Sequence, residues 1–398
     1  MIGTLADLLH PHSPAELERA ILEHRPLFLR GDRTQEFQAL VSWEEIAGLL
    51  TIDHLQTHRV RVVRQGRDLP VEMFTHPPTF TDTPTTANGR RLAAERFHDL
   101  CRQGVSLVVN RIEQRLPRIA AMNAVVERHL QAPVITNAYA SFERQSAFPI
   151  HWDDQNVLIL QVRGRKRWSL FGQPHRLPSK DSHAFPSPGP VAADEPALDR
   201  VMEPGDILYI PRGEVHRAEA AGPDSLHLTV TVMPPRGDDA VRWLLTQAMD
   251  TEEILRRDIT PLAGAEALRE QEASLRATLH RLLDSLDLDR FLTYENRRRE
   301  PARPLTLGVF PLQGQDVQVS PALLRPVALP DGDHAVVHAG SIRLQMSADE
   351  RTVLGLLMER GGLSPADIAQ CLPGLAPAAL ETALAALARK SLVFVFPD

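Results

Sequence analysis

The sequence contains very little cysteine. Cys101 and Cys371 are the only two among 398 residues, and they lie far apart and outside any metal-binding spacing. This usage argues against a disulfide framework and against a metal site built on cysteines. It fits a reducing cytoplasm, where we expect the protein to reside, and we read both cysteines as buried apolar residues.

Long apolar runs are absent as well. A membrane-spanning helix needs about 20 consecutive apolar residues, and no stretch of the chain approaches that length. The opening residues have neither a basic leader nor an apolar core, so we predict no secretory signal and no membrane partner. A hydrophobic fraction of 43% and a charged fraction of 24% are typical of a globular protein, and 398 residues predict two or three domains.

The chain also lacks an excess of positive charge. Its formal net charge is −7, whereas sequence-blind binding of nucleic acid requires a basic surface that displaces counterions. The most basic run, residues 296–299, is flanked by Glu295 and Glu300 and is typical of a solvated surface segment. We therefore expect no nucleic-acid partner, whereas an acidic surface can attract a basic protein or peptide.

Polar and apolar residues alternate between about residues 104 and 236, which predicts short strands rather than helices. The predicted strands are Val105–Val109, Val134–Ser141, Val157–Val162, Arg167–Phe171, Asp206–Ile210 and Leu226–Met233. Turn residues separate them, at Gly164, 174–190, 204–206 and 222–224. Several short strands with this punctuation indicate a double-sheet jelly roll of the cupin kind.

Helical patterns flank this β region. On its N-terminal side, Ser13 with Glu16 and Ser42 with Glu45 form capping boxes, with a short strand Pro26–Leu29 between them. On its C-terminal side, residues 238–257 and 264–287 carry leucines at helical spacing, which predicts amphipathic helices that pack as a pair or across a dimer.

The last region, about 306–398, predicts short strands followed by three capped helices and a final strand, an order typical of a winged-helix-like module. The predicted strands are Leu305–Phe310, Ala335–His338, Ile342–Gln345 and Leu392–Phe396, and the helices begin at Ser347, Ser364 and Pro377. Few charges lie on the third helix, Ala376–Lys390, so we expect this module to contact protein or to support a dimer rather than to bind DNA.

One pair of residues in the β region has metal-ligand character. His151 and Asp153 are two apart in an extended context, and strand side chains two apart project to the same side. An H-x-D pair alone is frequent by chance. The later segment 204–216 adds a tight turn, an apolar strand, a second turn and then His216.

An antiparallel jelly roll can return His216 beside His151 and Asp153. Two imidazoles and one carboxylate on one face are the ligands of non-haem Fe(II) oxygenases. Three protein ligands leave positions open for a keto acid and for O₂. We therefore predict an iron site at these three residues, which we take as both the metal ligands and the catalytic centre.

Four stretches of the chain resemble the JmjC-type cupin core of the ribosomal oxygenases. These are 137–142 (NAYASF), 148–168 (FPIHWDDQNVLILQVRGRKRW), 204–216 (PGDILYIPRGEVH) and 225–233 (SLHLTVTVM). The resemblance implies an Fe(II)- and 2-oxoglutarate-dependent oxygenase that uses O₂ to hydroxylate a ribosomal-protein-like substrate. It also implies a JmjC domain followed by a helical dimerisation region and a C-terminal winged helix, and hence a homodimer.

The resemblance further assigns co-substrate residues by position. Lys166 falls where the family places the cation that pairs with the distal carboxylate of 2-oxoglutarate, a group that needs a charged partner when buried. Asn137 and Tyr139 match positions that line the co-substrate pocket. Thr229 lies in a polar row with His227 and Thr231, and we place it in the same pocket.

The positions next to the ligands depart from the family. Trp152, Asp154 and Gln155 should line the substrate entrance, so the target residue can differ from that of the known enzymes. Trp168 reads as a core residue, and the chain up to about residue 100 matches the family only loosely.

We therefore predict an α+β protein of three parts. Residues 1–236 form the JmjC/cupin catalytic domain with an N-terminal elaboration, residues 237–304 the helical dimerisation region, and residues 305–398 the winged-helix-like domain. Three alternatives to a protein hydroxylase stay open: an N-methyl demethylase with the same iron site, a peptide- or small-molecule-tailoring oxygenase, and a non-catalytic cupin that binds a ligand.

Overall fold

The structure is a computed structural model that describes residues 2–52, 59–77, 90–142, 148–179, 195–298, 317–322, 329, 335–339 and 342–397. The helices are α1 (Leu5–Leu9), α2 (Pro14–Glu23), α3 (Thr34–Gln38), α4 (Trp43–Ile52), α5 (Ala94–Arg102), α6 (Pro117–Leu130), α7 (Gly237–Ala248), α8 (Gly264–Asp284), α9 (Leu288–Arg298), α10 (Ala348–Arg360), α11 (Pro365–Cys371) and α12 (Pro377–Arg389). The strands are β1 (Leu27–Leu29), β2 (Val60–Arg64), β3 (Arg67–Asp68), β4 (Thr75–His76), β5 (Arg91–Leu92), β6 (Ser106–Val109), β7 (Val134–Phe142), β8 (Asn156–Leu170), β9 (Leu198–Met202), β10 (Ile207–Ile210), β11 (His216–Val232), β12 (Val317–Pro321), β13 (Ala335–Ala339), β14 (Ile342–Met346) and β15 (Val393–Pro397).

A bent antiparallel sheet forms the centre of the fold. Its strand order is β1-β10-β8-β11-β7-β6-β2-β3, and β9 pairs with the second half of β8. The first half of β8 pairs with β10, so the long strand β8 belongs to two sheet segments, and β11 runs beside it along most of its length. This jelly-roll-like arrangement confirms the predicted cupin core within an α+β protein.

Two turns predicted inside this region are wrong. β8 and β11 are continuous strands of 15 and 17 residues, and their register shifts between the pairs Ala220–Lys166 and Ser225–Gly164. Residues 221–224 thus form a bulge opposite Arg165, not a hairpin. Gly164 has a φ of +60°, and a Cβ there would lie 2.1 Å from the carbonyl oxygen of Asp224. A glycine is needed here because the two strands approach closely. In the sequence, such a glycine cannot be told from a glycine in a turn.

Apolar side chains fill both faces of the sheet. The largest cluster packs the N-terminal helices and α6 against one face, with Leu17, Phe37 and Leu158 fully buried. A smaller cluster around Leu170 and Leu208 lies on the other face, next to the site described below. The predicted capping boxes are present, as the backbone N–H of Ser13 and of Ser42 donates to Glu16 and Glu45 respectively.

The region after residue 236 is helical, as predicted, but with different bounds. α7 ends nine residues earlier than predicted: the N–H groups of Met249 and Thr251 bond carbonyls three residues before them, and a 3₁₀ turn follows. α9 was not predicted, and the basic run 296–299 begins within it. Trp243, Leu244 and Phe291 hold α7 and α9 together.

The C-terminal region has the predicted helices α10 to α12, the hairpin β13–β14 and the final strand. β15 pairs antiparallel with β12, a strand that the sequence did not indicate. The predicted strand Leu305–Phe310 lies outside the described residues. Val353, Leu354 and Leu387 form part of a separate apolar core in this region.

Both cysteines are free thiols. Cys101 is half-buried, but Cys371 is exposed at the end of α11, so its predicted burial is wrong. Among the helices of the described residues, none has the length and apolar character needed to cross a membrane.

Candidate metal centre

Backbone pairing brings two of the predicted ligands together. The N–H of His216, at the start of β11, donates to the carbonyl of His151 at 2.8 Å, and the N–H of His151 donates back to the carbonyl of His216 at 3.2 Å. Residues that pair directly in an antiparallel ladder carry their side chains on the same face. The next contact along the chain, from the Gly213 N–H to the Asp153 carbonyl at 2.8 Å, fixes the third ligand.

The three side chains converge on one point. One ligand atom from each of His151, Asp153 and His216 lies within 4.8 Å of the others. The Nε2 atoms of His151 and His216 are 3.9 and 3.8 Å from the two carboxylate oxygens of Asp153. The set is two imidazoles and one carboxylate, with Asp153 half-exposed at the mouth and His216 buried.

Hydrogen bonds orient both histidines for ligation. The Nδ1 of His151 lies 2.8 Å from the carbonyl oxygen of Pro149, and the Nδ1 of His216 lies 2.9 Å from that of Glu214. Because a carbonyl only accepts, each Nδ1 carries the proton and each Nε2 has a free lone pair. Burial lowers the pKa of His216 despite the attraction of Asp153, which keeps this imidazole neutral, as a ligand must be.

A cavity of about 250 Å³ extends from these ligands into the sheet. Its wall includes Lys166, which is 6% exposed and donates to the Ser141 Oγ at 3.1 Å. In the part of the chain that the structure describes, no carboxylate pairs with Lys166, and burial lowers the pKa of its amine to about 7. A buried amine without a carboxylate partner on the wall of a cavity is suited to a ligand carboxylate, which would favour its protonated form.

Aromatic rings form another part of the cavity wall. Tyr139 stacks on His227 with ring centroids 5.0 Å apart, and Trp168 meets His227 edge-on at 5.5 Å. Burial raises the pKa of Tyr139 to about 12, with a further contribution from the Asp153 charge, so its hydroxyl remains a hydrogen-bond donor at neutral pH. Trp168 is buried as predicted, but it also lines the cavity.

Of the two other predicted co-substrate residues, one lines the cavity and one does not. Thr229 lines the cavity, as we placed it. Asn137 does not line it: its Oδ1 accepts from the backbone N–H of Arg111 at 2.9 Å, and its side chain contacts Tyr139. Asn137 therefore supports Tyr139, which lines the cavity.

Two residues at or next to the cavity, Arg61 and Ser141, were not predicted from the sequence. Arg61 on β2 lines the cavity and pairs with Asp68 at 2.9 Å. Ser141, the hydrogen-bond partner of Lys166, also bonds the Ser106 hydroxyl at 2.8 Å. Both depend on strand partners far away in sequence. The one sequence feature that could have identified Arg61 as a cavity residue is its position as a cationic residue near the start of an alternating stretch.

The residues next to the ligands face elsewhere. Trp152 is buried, so its expected place at the substrate entrance is wrong; it projects away from the ligands on either side, as alternation requires. Asp154 and Gln155 line a second cleft of about 660 Å³, together with Arg212 and Arg236. Asp154 follows the ligand Asp153 directly in sequence, but the cleft shares no lining residue with the ligand cavity.

The chemistry of the donor set fits Fe(II). The 2-His-1-carboxylate arrangement leaves part of a metal's coordination sphere facing the cavity, where Lys166 lies without an anionic partner. A keto acid with a second carboxylate could therefore bind the metal at one end and Lys166 at the other.

Comparison with known proteins supports this reading. Residues 108–240 match the JmjC domain family. Ribosomal oxygenase 1 of Rattus norvegicus is 30% identical over 271 residues, which is 65% of this chain and 43% of that protein. The bifunctional lysine-specific demethylase and histidyl-hydroxylase NO66 of Aedes aegypti is 27% identical over 263 residues, 63% of this chain and 39% of that protein.

The fold as a whole also has a solved counterpart. The Escherichia coli ribosomal oxygenase YcfD aligns over 98% of this chain and 99% of its own, with a TM-score of 0.53 and 19% identity. YcfD in complex with cobalt and 2-oxoglutarate aligns over 97% and 99%, with a TM-score of 0.52 and 20% identity. The chain spans only about two fifths of the length of the first relatives it matches. The predicted resemblance to the JmjC-type ribosomal oxygenases is confirmed as a similarity, with the JmjC family match limited to residues 108–240.

Proposed function

We propose that this chain, whose residues 108–240 match the JmjC domain family, is an Fe(II)- and 2-oxoglutarate-dependent oxygenase that hydroxylates a side chain of a ribosomal-protein-like substrate. The convergence of His151, Asp153 and His216 within 4.8 Å carries the proposal. The ribosomal oxygenases named above, and YcfD with its cobalt and 2-oxoglutarate, support it.

Each side chain has a defined task in this reaction. His151, Asp153 and His216 would hold the iron, and Lys166 would hold the distal carboxylate of 2-oxoglutarate. The protonated hydroxyl of Tyr139 can donate to an oxygen of the same molecule without repelling it. Iron with 2-oxoglutarate would supply the activation of O₂ and the transfer of one oxygen atom to a C–H bond, with succinate and CO₂ as the other products.

The second cleft is the proposed place for the protein substrate. Its volume of about 660 Å³ exceeds that of the ligand cavity, and it begins at Asp154, directly after a metal ligand. Arg212 in this cleft is half-buried, and among the described residues it has no direct ion pair, although the Asp154 and Asp238 carboxylates of the cleft attract its guanidinium. Burial and the nearby Arg236 lower its pKa. An unpaired guanidinium can bind a carbonyl or carboxylate of an extended peptide.

The test is a mass measurement. Purified protein is incubated with Fe(II), 2-oxoglutarate and ribosomal proteins, and intact masses are recorded together with succinate release. We expect one protein heavier by one oxygen atom, and no gain with His151→Ala. Absence of both the added oxygen and any succinate above the His151→Ala background would refute the proposal.

A demethylase is the second candidate, because the NO66 relative is named a lysine-specific demethylase as well as a histidyl-hydroxylase. The same assay separates the two activities. Demethylation of an N-methylated lysine peptide lowers its mass by one methylene group, whereas hydroxylation raises it by one oxygen.

We further propose the three-part division 1–236, 237–304 and 305–398, with a homodimer formed through the middle part. Separate apolar clusters in the three parts support the division. Leu275, Leu279 and Leu283 line a groove on the exposed side of α8, and Leu283 is 50% exposed. The helix–strand order after residue 346 supports a winged-helix-like module, and the free thiols fit a cytoplasmic location.

A further inference from the structure

His227 is a buried titratable residue that the proposed reaction leaves without a task. It lies on β11, is 2% exposed, and lines the same cavity as Lys166 and the three ligand side chains. It is not close enough to the ligand set to belong to it, since the metal-binding cluster of the described residues contains only His151, Asp153 and His216.

Two aromatic side chains hold the His227 ring in one orientation. Tyr139 stacks on it almost in parallel, at an interplanar angle of 10°, and Trp168 packs against it at 86°. These contacts come from β7 and β8, the strands on either side of β11. The ring therefore has little rotational freedom, and its polar atoms have fixed positions.

The Nδ1 atom of His227 is buried without a hydrogen-bond partner among the described residues. A buried polar atom left unpaired costs about 1–3 kcal/mol, and such atoms are rare in folded proteins. His227 and Trp168 each carry such an atom and both side chains line the ligand cavity, and we infer that a bound ligand supplies the partner for the His227 ring. Burial and the neighbouring Lys166 hold the pKa of His227 well below its usual value, so the ring is neutral.

A neutral imidazole and a cationic amine contribute differently to recognition. The amine attracts any anion, whereas the imidazole N–H contributes direction without charge. We propose that His227 is a specificity-determining residue of the cavity: its ring N–H donates to the carboxylate that Lys166 attracts, and so selects a dicarboxylate over a keto acid without a distal carboxylate. This inference rests on the proposed use of 2-oxoglutarate.

The test measures binding rather than turnover. Cobalt-loaded protein is titrated calorimetrically with 2-oxoglutarate and with 2-oxopentanoate, which has the same chain length and no distal carboxylate. His227→Phe keeps an aromatic ring between Tyr139 and Trp168 but removes both nitrogens. His227→Asn restores a polar atom near the position of Nδ1. The matched control is Thr231→Val, a buried residue on the same face of β11 that does not line the cavity.

We expect His227→Phe to weaken 2-oxoglutarate binding about 10-fold to 100-fold, the effect of a hydrogen bond to a charged group. Binding of 2-oxopentanoate should change less than about twofold, His227→Asn should recover part of the loss, and Thr231→Val should match the wild type. Equal weakening of both acids by the Phe variant, or wild-type affinity for 2-oxoglutarate, would overturn the inference. If His227→Phe does not fold, the selectivity of His227→Asn decides in its place. A wild-type protein that binds cobalt but not 2-oxoglutarate would instead refute the proposed function, and the inference with it.

Discussion

Replacing Lys166 with methionine should change stability and ligand binding in opposite directions. Lys166 is 6% exposed, has a single hydrogen bond to Ser141 and pairs with no carboxylate in the described chain. Methionine fills a similar space without a charge. The metal-free protein should therefore gain stability from the substitution, while the affinity for 2-oxoglutarate should fall.

The magnitude follows from the pKa of the amine. Burial lowers this pKa from 10.5 to about 7 in the folded protein, so at about pH 8 the unfolded chain carries the proton and the folded chain does not. Each pH unit between the working pH and the unfolded value is worth about 1.36 kcal/mol. At about pH 8 the buried lysine thus destabilises the folded state by about 3 kcal/mol. The unfolded state binds more protons between pH 7 and 10.5, so wild-type stability should rise with pH across this window.

The assay compares urea unfolding of the metal-free wild type and Lys166→Met at about pH 8 and about pH 10. The advantage of the methionine variant should be largest at the lower pH and nearly vanish at the higher one. Lys390→Met is the control, because its amine pairs with Glu350 at 2.6 Å and its removal should not stabilise the protein. A Lys166→Met protein less stable than wild type at about pH 8 would refute the reasoning.

The effect of Lys166→Met on the affinity for 2-oxoglutarate should be opposite to its effect on stability. An anion next to Lys166 favours the protonated amine, so binding takes up a proton above about pH 7. Calorimetry should show wild-type affinity for 2-oxoglutarate falling about tenfold per pH unit above that value, and Lys166→Met should bind at least about 100-fold more weakly at pH 7. An affinity that is independent of pH would show that the amine stays charged in the free protein.

Three further predictions concern other parts of the chain. Asp153→Asn should lower Fe(II) affinity by at least about tenfold in a competition titration, because an amide replaces the one anionic ligand; unchanged affinity would place the metal elsewhere. Gly213→Ala should lower the melting temperature by several degrees, because a Cβ there would lie 2.5 Å from the carbonyl oxygen of His175 and φ is +84°; unchanged melting would contradict the tight turn. Leu279→Glu should halve the mass measured by light scattering if α8 forms the dimer, whereas Leu262→Glu, at a position already 95% exposed, should leave it unchanged.

The sequence predicted the convergence of His151, Asp153 and His216 better than the structure around them. His151 and Asp153 were predicted to lie in an extended segment; His151 forms an isolated bridge and Asp153 lies outside regular structure. Their side chains still project to the same side because the chain is extended there. His216 could be anticipated because the turn, strand and second turn before it are local features. Lys166 came from the family resemblance alone, since a lysine next to arginines and a glycine also fits a surface turn.

Long-range pairing explains what the sequence did not show. Arg61 lines the cavity and Ser141 bonds Lys166 because strands that are distant in sequence are neighbours in the sheet, and strand order is not encoded in local periodicity. Gly164 was read as a turn because a glycine that relieves a close strand approach has the same local appearance. The strand β12 depends on its pairing with β15, which is more than 70 residues away in sequence.

The reciprocal backbone pairing of His151 and His216 also bears on what metal loading requires. In a structural zinc finger the ion drives folding, and the apo chain is unfolded. Here the ladder that aligns the imidazoles is made of peptide groups and is backed by the apolar layers of the sheet, so the receptor for the ion is complete before the ion arrives. Exchange of one divalent metal for another should leave the scaffold intact. Removal of the metal should likewise leave the protein folded.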